Sequence, residues 1–133
     1  MTGHERTWHI PRQREAVSDT RRDVRKTLAD WGMEDAADDI GLIISELLGN
    51  AVVHGEPEIS LTLAVRDECV CGKVVDHGPG MPQPRTPTDN AEGGRGLAIV
   101  EAYTRRWGVT PLPDGPGKCV WFECCCSALD GAR

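Results

Sequence analysis

The chain has no apolar run approaching the roughly 20 residues that a membrane-spanning helix needs, and its opening residues, Met1 to Arg6, are polar. A cytoplasmic protein with no membrane partner is expected. Positive charge is also in deficit, with 15 Lys and Arg against 21 Asp and Glu and a formal net charge of -6. A broad phosphate-binding surface of the nucleic-acid kind does not fit that balance, so any anion must be met locally. Internal repeats and linker-like stretches are missing as well. At 133 residues the chain suits a single domain, 1–133, large enough to bury a real core.

Cysteine is plentiful, at six residues, but the paired spacing of structural zinc sites is not there. Cys69 and Cys71 are two apart in a strand-like run, and Cys124, Cys125 and Cys126 are consecutive, so strand alternation sends neighbours to opposite faces. That placement argues against a disulfide scaffold. Reduced thiols acting as small strand residues are expected.

Apolar periodicity then lays out the elements. Trp8 to Ile10 reads as a short strand ended by Pro11, and Val24, Leu28 and Trp31 recur at helical spacing in a first helix over 17–31 that Gly32 stops. A second helix starts near Glu34 and Asp35, whose charges suit an N-terminus, and runs to Gly55. Ile59–Val65 and Cys69–Val75 are β-rich runs joined through Arg66, Asp67 and Glu68, which predicts a hairpin. Residues 78–94 are polar and rich in Gly and Pro, hence a loop, and Leu97 to Val100 begins a third helix that reaches about Arg105. Two closing strands, Trp107–Leu112 and Lys118–Cys125, flank a turn over 113–117. An α+β fold follows, with an open, mostly antiparallel sheet of four or five strands and three helices on one face. Trp8, Trp31, Trp107 and Trp121 fall in or beside these elements and are expected in the core.

Three segments carry chemistry. On the second helix, at about 100° per residue, Ile40, Ile44, Leu47 and Ala51 face the sheet, whereas Glu46, Asn50 and His54 line its edge at four-residue spacing. A carboxylate and an amide oxygen so placed can position a hydrated Mg²⁺ or a hydroxyl nucleophile. Asp76 ends a buried strand and is followed by Gly78 and Gly80, whose small size allows a tight turn and a planar ligand close to the backbone. An ionised Asp there can accept a hydrogen bond from an exocyclic amine such as that of adenine. The third segment, Gly93 to Leu97, is a glycine-rich entry to a helix, where unpaired N–H groups and the helix dipole favour phosphate and Arg95 adds a cation. Each segment alone reads more readily as a solvated helix face, a capped turn or a hinge.

Together, E-x-x-x-N-A-x-x-H-G from Glu46, D-x-G-x-G from Asp76 and G-G-R-G-L from Gly93 resemble the GHKL ATPase/kinase superfamily. Within it, the chain resembles the small stand-alone anti-sigma factor serine kinases that act on anti-anti-sigma proteins, from the first helix to the strand ending near Phe122. The resemblance implies a Bergerat-type two-layer α/β sandwich that binds ATP with Mg²⁺. It implies Asn50 as the Mg²⁺ ligand, Glu46 as general base, Asp76 as reader of the adenine amine, and His54, Gly78 and Gly80 lining the nucleotide. Gly94, Arg95, Gly96 and Leu97 would cradle the phosphates under a lid over 81–93. An anti-anti-sigma protein and a sigma factor are the implied partners, with no direct nucleic-acid contact, and a homodimer is left open. Two departures stand out. Cys119 takes the place near adenine where the family commonly has Thr, which lowers the expected adenine affinity, and the loop from Gly80 to Gly93 is short beside the lids of sensor histidine kinases. A helix carrying a phosphoacceptor His is not found ahead of the domain, so a histidine-kinase fragment is not expected. An enzyme and a binding module that holds ATP or ADP to shape a protein-binding surface both remain open.

Overall fold

Apolar alternation along five strands builds one antiparallel sheet whose inner face carries every large strand residue of the core. The computed structural model describes residues 4–78 and 98–125. Strands β1 (His4–Ile10), β2 (Ile59–Arg66), β3 (Cys69–Asp76), β4 (Arg106–Pro111) and β5 (Lys118–Cys125) lie in the order β1-β2-β3-β5-β4. Leu61, Leu63, Val70, Val74, Val120 and Phe122 point inward and are almost fully buried. Against them pack α1 (Arg14–Asp30), α2 (Ala37–His54) and the helical residues 98–103, whose Val100 reaches the same core. The α+β arrangement expected from the pattern is the one observed, with five strands and all helices on one face.

Local chemistry explains the joints. Asp67 and Glu68 are the whole connection between β2 and β3, and both have positive φ, 54° and 65°. This is the twist-matched two-residue hairpin geometry that keeps the strands in register. Gly72 sits opposite Phe122, and a Cβ there would come within 2.3 Å of the ring, so the bare backbone is what lets Phe122 lie flat across β3. Trp8 on β1 and Arg6 both donate to the Asp23 carboxylate of α1, at 2.8 and 2.7 Å, pinning the edge strand to the helix layer. Glu34–Ala36 forms a 3-10 turn before α2, so the acidic start expected of the second helix belongs to its lead-in.

The outer face of the sheet overturns two expectations. Cys69 and Cys125 are directly opposite in the β3–β5 register and are joined by a disulfide, not held as reduced thiols. Their 56-residue separation made the pair invisible to local spacing, which shows only which face each residue takes. Trp121 also lies outside the core, on the outer face over Gly108, where a Cβ would stand 2.7 Å from its indole. Trp8 is buried, and Trp31 and Trp107 pack half-buried against the core as expected.

Candidate nucleotide site

The end of α2, the end of β3 and the start of β5 meet in backbone contact. Gly55 closes α2, its N–H donating to the Ala51 carbonyl at 2.8 Å, and a Cβ on it would stand 2.6 Å from Asp76 Cγ. The glycine is therefore a space reserved for the Asp76 carboxylate. A Cβ on Gly78 would fall 3.1 Å from Gly55 Cα, and one on Gly117, at φ +132°, 2.7 Å from the Asp76 carbonyl oxygen. His77 ties the same corner down, its N–H donating to the Glu56 carbonyl at 2.9 Å while its Nδ1 lies 2.8 Å from the Glu58 carbonyl. Two of the three motif segments thus come together as the sequence order suggested.

Asp76 itself is 2% exposed. Its Oδ1 accepts from the Gly78 N–H at 2.8 Å, and Lys118 Nζ spans both oxygens at 3.2 and 2.9 Å. Lys118 is almost as buried, at 8%. Two charges withdrawn from water at this depth hold together only because each is the other's partner. A carboxylate offers about four lone-pair positions, so the pair leaves Asp76 capacity for a further donor once the ammonium shares or yields its place.

The sequence reasoning missed Lys118. It was legible from alternation, because Lys118 stands in phase with the inward residues Val120 and Phe122. The same alternation carries Cys119 to the outer face, opposite Val75, so the side chain nearest Asp76 from β5 is an ammonium and not the thiol of Cys119. Burial pushes the Cys119 thiol up from its ordinary value, with Lys73 opposing, and burial followed by the Glu123 carboxylate does the same to Cys71.

Along α2, Glu46 and Asn50 are half-buried and His54 is exposed, at the edge of a stripe in which Ile40, Ile43, Ile44, Leu47, Leu48 and Ala51 are buried. At 1.5 Å per residue, Asn50 lies roughly 7.5 Å and Glu46 roughly 13.5 Å from Gly55 along the axis. The helix therefore leads from the Asp76 corner past an amide to a carboxylate. Their hard oxygen donors suit Mg²⁺, which keeps several waters and takes few protein ligands. Gly80, Gly94, Arg95, Gly96, Leu97 and the expected lid over 81–93 lie outside the described residues. No helix among the described residues is long and apolar enough to cross a membrane.

Comparison with known proteins bears on the family and the fold. Residues 10–123 match the model of the histidine kinase-like ATPase domain. Two curated Mycobacterium tuberculosis proteins, a sensor histidine kinase component HK1 and a probable sensor histidine kinase HK, are each 39% identical over 94 residues, covering 59% of this chain. The chain spans 56% and 25% of their lengths. Among solved structures, the RsbU and RsbW domains of a Mycobacterium tuberculosis protein superpose with TM-score 0.69 at 22% identity, covering 92% of this chain and 32% of that one. The histidine kinase domain of a blue-light activated histidine kinase from Erythrobacter litoralis gives 0.53 at 18%, covering 84% and 59%. These two likenesses speak to the fold, and the family match, spanning most of the chain, shows that it belongs to the histidine kinase-like ATPase domain family, whose members are built around an ATP site.

Proposed function

We propose that the chain is an anti-sigma regulatory protein that binds Mg-ATP and phosphorylates a serine of an anti-anti-sigma partner, so setting the availability of a sigma factor. The observation that carries this reading is the corner at Asp76, where a buried carboxylate is held by reserved glycine space at the end of the helix bearing Asn50 and Glu46. In this reading Asp76 accepts from the adenine amine, Gly78 and Gly80 admit the ring, and His54 lines the pocket mouth. Asn50 supplies an oxygen to Mg²⁺, which would neutralise charge developing on the transferred phosphoryl group. Glu46 takes the proton of the attacking serine hydroxyl, while positioning and charge stabilisation contribute most of the catalysis. Gly94 to Leu97, with Arg95, would hold the phosphates at a helix entrance. The likeness in shape to a protein with an RsbW domain supports the anti-sigma assignment.

The 39% identity to sensor histidine kinases favours a second reading, in which the acceptor is a histidine on another polypeptide. The two differ in bond chemistry, since a phosphoserine ester survives acid and a phosphohistidine phosphoramidate does not. Incubation with γ-labelled ATP and proteins captured from the native host is expected to give an acid-stable labelled partner. Acid-labile label would establish the second reading instead. Glu46→Gln should keep nucleotide affinity and lose about 10²- to 10⁴-fold in transfer rate, whereas Asn50→Ala should lose both. If neither bond forms and ATP still changes partner affinity, the nucleotide is an effector and the chain a binding module.

A further inference from the structure

At the far end of β3 from Asp76, roughly 23 Å away for seven residues of strand, the outer sheet face carries a second cluster of reactive groups. The register makes it a two-by-two block, with Cys69 opposite Cys125 and Cys71 opposite Glu123. All four side chains share the face turned away from the helices and are half-buried. The ligand atoms of Cys69, Glu123 and Cys125 lie within 4.8 Å of one another. Arg105 Nη1 donates to Cys125 Sγ at 3.4 Å, and Arg106 holds Glu123 Oε1 at 2.8 Å.

We infer that Cys69, Cys125 and Glu123, with Cys71 beside them, form a soft-metal site of the Zn²⁺ class that opens when the Cys69–Cys125 disulfide is reduced. Two thiolates and one carboxylate are donors that Zn²⁺ takes, and they leave one tetrahedral position open on the side of Cys71. Their three negative charges face the cation and the two arginines, so the metal-loaded cluster carries little net charge. Arg105 already reaches the Cys125 sulfur, and the thiolate is the form of cysteine that both ligates metal and exchanges disulfides. Opening breaks one S–S bond. A dithiol reductant supplies two electrons and two protons and itself becomes a disulfide. Zn²⁺ then displaces the thiol protons to solvent, one for each Zn–S bond formed. In the reverse direction a low-molecular-weight disulfide takes the two electrons, leaving as two thiolates while the protein S–S bond re-forms and Zn²⁺ departs.

The full chain, reduced with a phosphine, stripped by a chelator and titrated with Co²⁺, is expected to show thiolate-to-cobalt charge-transfer absorption and tetrahedral ligand-field bands at one equivalent. Zn²⁺ should bleach both and raise the melting temperature of the reduced protein, because a ligand of the native state stabilises it by mass action. The oxidised wild type should bind neither ion at this site, a control that needs no substitution and so escapes any folding defect. Glu123→Gln should weaken binding by roughly tenfold or more. Absence of thiolate charge transfer in the reduced wild type overturns the inference. So does equal binding by the oxidised protein, or binding that persists unchanged in the Cys69→Ser/Cys125→Ser variant.

Discussion

Replacing Lys118 by Met tests the corner at Asp76 most directly. The substitution keeps the length of the side chain and its apolar stem but leaves a carboxylate that is 2% exposed with one remaining donor among the described residues, the Gly78 N–H. Because both partners sit below a tenth exposure, little solvent screening discounts the loss. Breaking a buried pair from one side typically costs about 3–5 kcal/mol, a large share of the 5–15 kcal/mol that holds a domain together. At about 4 °C per kcal/mol for a domain of this size, the melting temperature should fall by roughly 12–20 °C. The double variant Asp76→Asn/Lys118→Met removes both charges and keeps an oxygen for the Gly78 N–H, so it should recover most of the loss. Urea unfolding of wild type, both single variants and the double variant gives the coupling energy, provided the denaturant slope is unchanged. A Lys118→Met loss below about 1 kcal/mol, or a double variant no more stable than that single, would refute the reasoning.

Gly55→Ala sets two effects against each other: reduced freedom of the unfolded chain stabilises by about 0.4–1 kcal/mol where the backbone permits, and overpacking costs about 1–3 kcal/mol. With the new Cβ 2.6 Å from Asp76 Cγ, overpacking should win, and thermal melting should show a lower midpoint together with weaker Mg-ATP protection. Reducing the Cys69–Cys125 bond, which closes a 56-residue loop, should lower stability by about 4 kcal/mol on the chain-entropy argument, read as a shift in the urea midpoint between oxidised and reduced protein. The Cys119 thiol is raised by burial, so its native form holds less thiolate than a free cysteine near neutral pH. Its alkylation, followed by mass spectrometry, should lag a model thiol and keep rising with pH after the model has levelled. The sign for stability is the same: the contribution is full below the unfolded thiol pKa and is lost as pH rises through the higher native one.

Strand and helix positions were legible because burial has a period. Leu61, Leu63, Val70 and Val74 alternate, Ile40, Ile44, Leu47 and Ala51 recur at helical spacing, and both patterns follow from the need to hide one face. Element ends were less visible. β1 extends back to His4 because the Arg6 and Trp8 side chains find Asp23 on α1, an attraction between residues 15 to 17 apart that no local window contains. The Cys69–Cys125 bond was hidden for the same reason on a larger scale. Alternation showed that each cysteine faces outward, but only the order β3-β5 in the sheet makes them opposite numbers.

The candidate site divides along the same line. Glu46, Asn50 and His54 could be placed from one helix, and the closeness of Asp76 to Gly55 could not, since it depends on where β3 ends against α2. Lys118 was within reach: a lysine in phase with Val120 and Phe122 is an inward charge, and an inward charge demands a partner. Asp76 was the acid already singled out on a buried strand end, and pairing the two needed only the register Asp76 to Lys118. The pair also bears on nucleotide binding. If Asp76 accepts from a ligand amine, as proposed, that amine must share an oxygen with Lys118 or displace it, and part of the binding free energy would go into rearranging an ion pair the folded state already satisfies. A side chain at position 118 that cannot donate to Asp76, such as Met, should therefore stabilise the apo corner less and bind Mg-ATP more tightly. Calorimetric titration of Lys118→Met is the measurement, and an affinity equal to or weaker than wild type in a folded variant would show that Lys118 assists the carboxylate instead of competing for it.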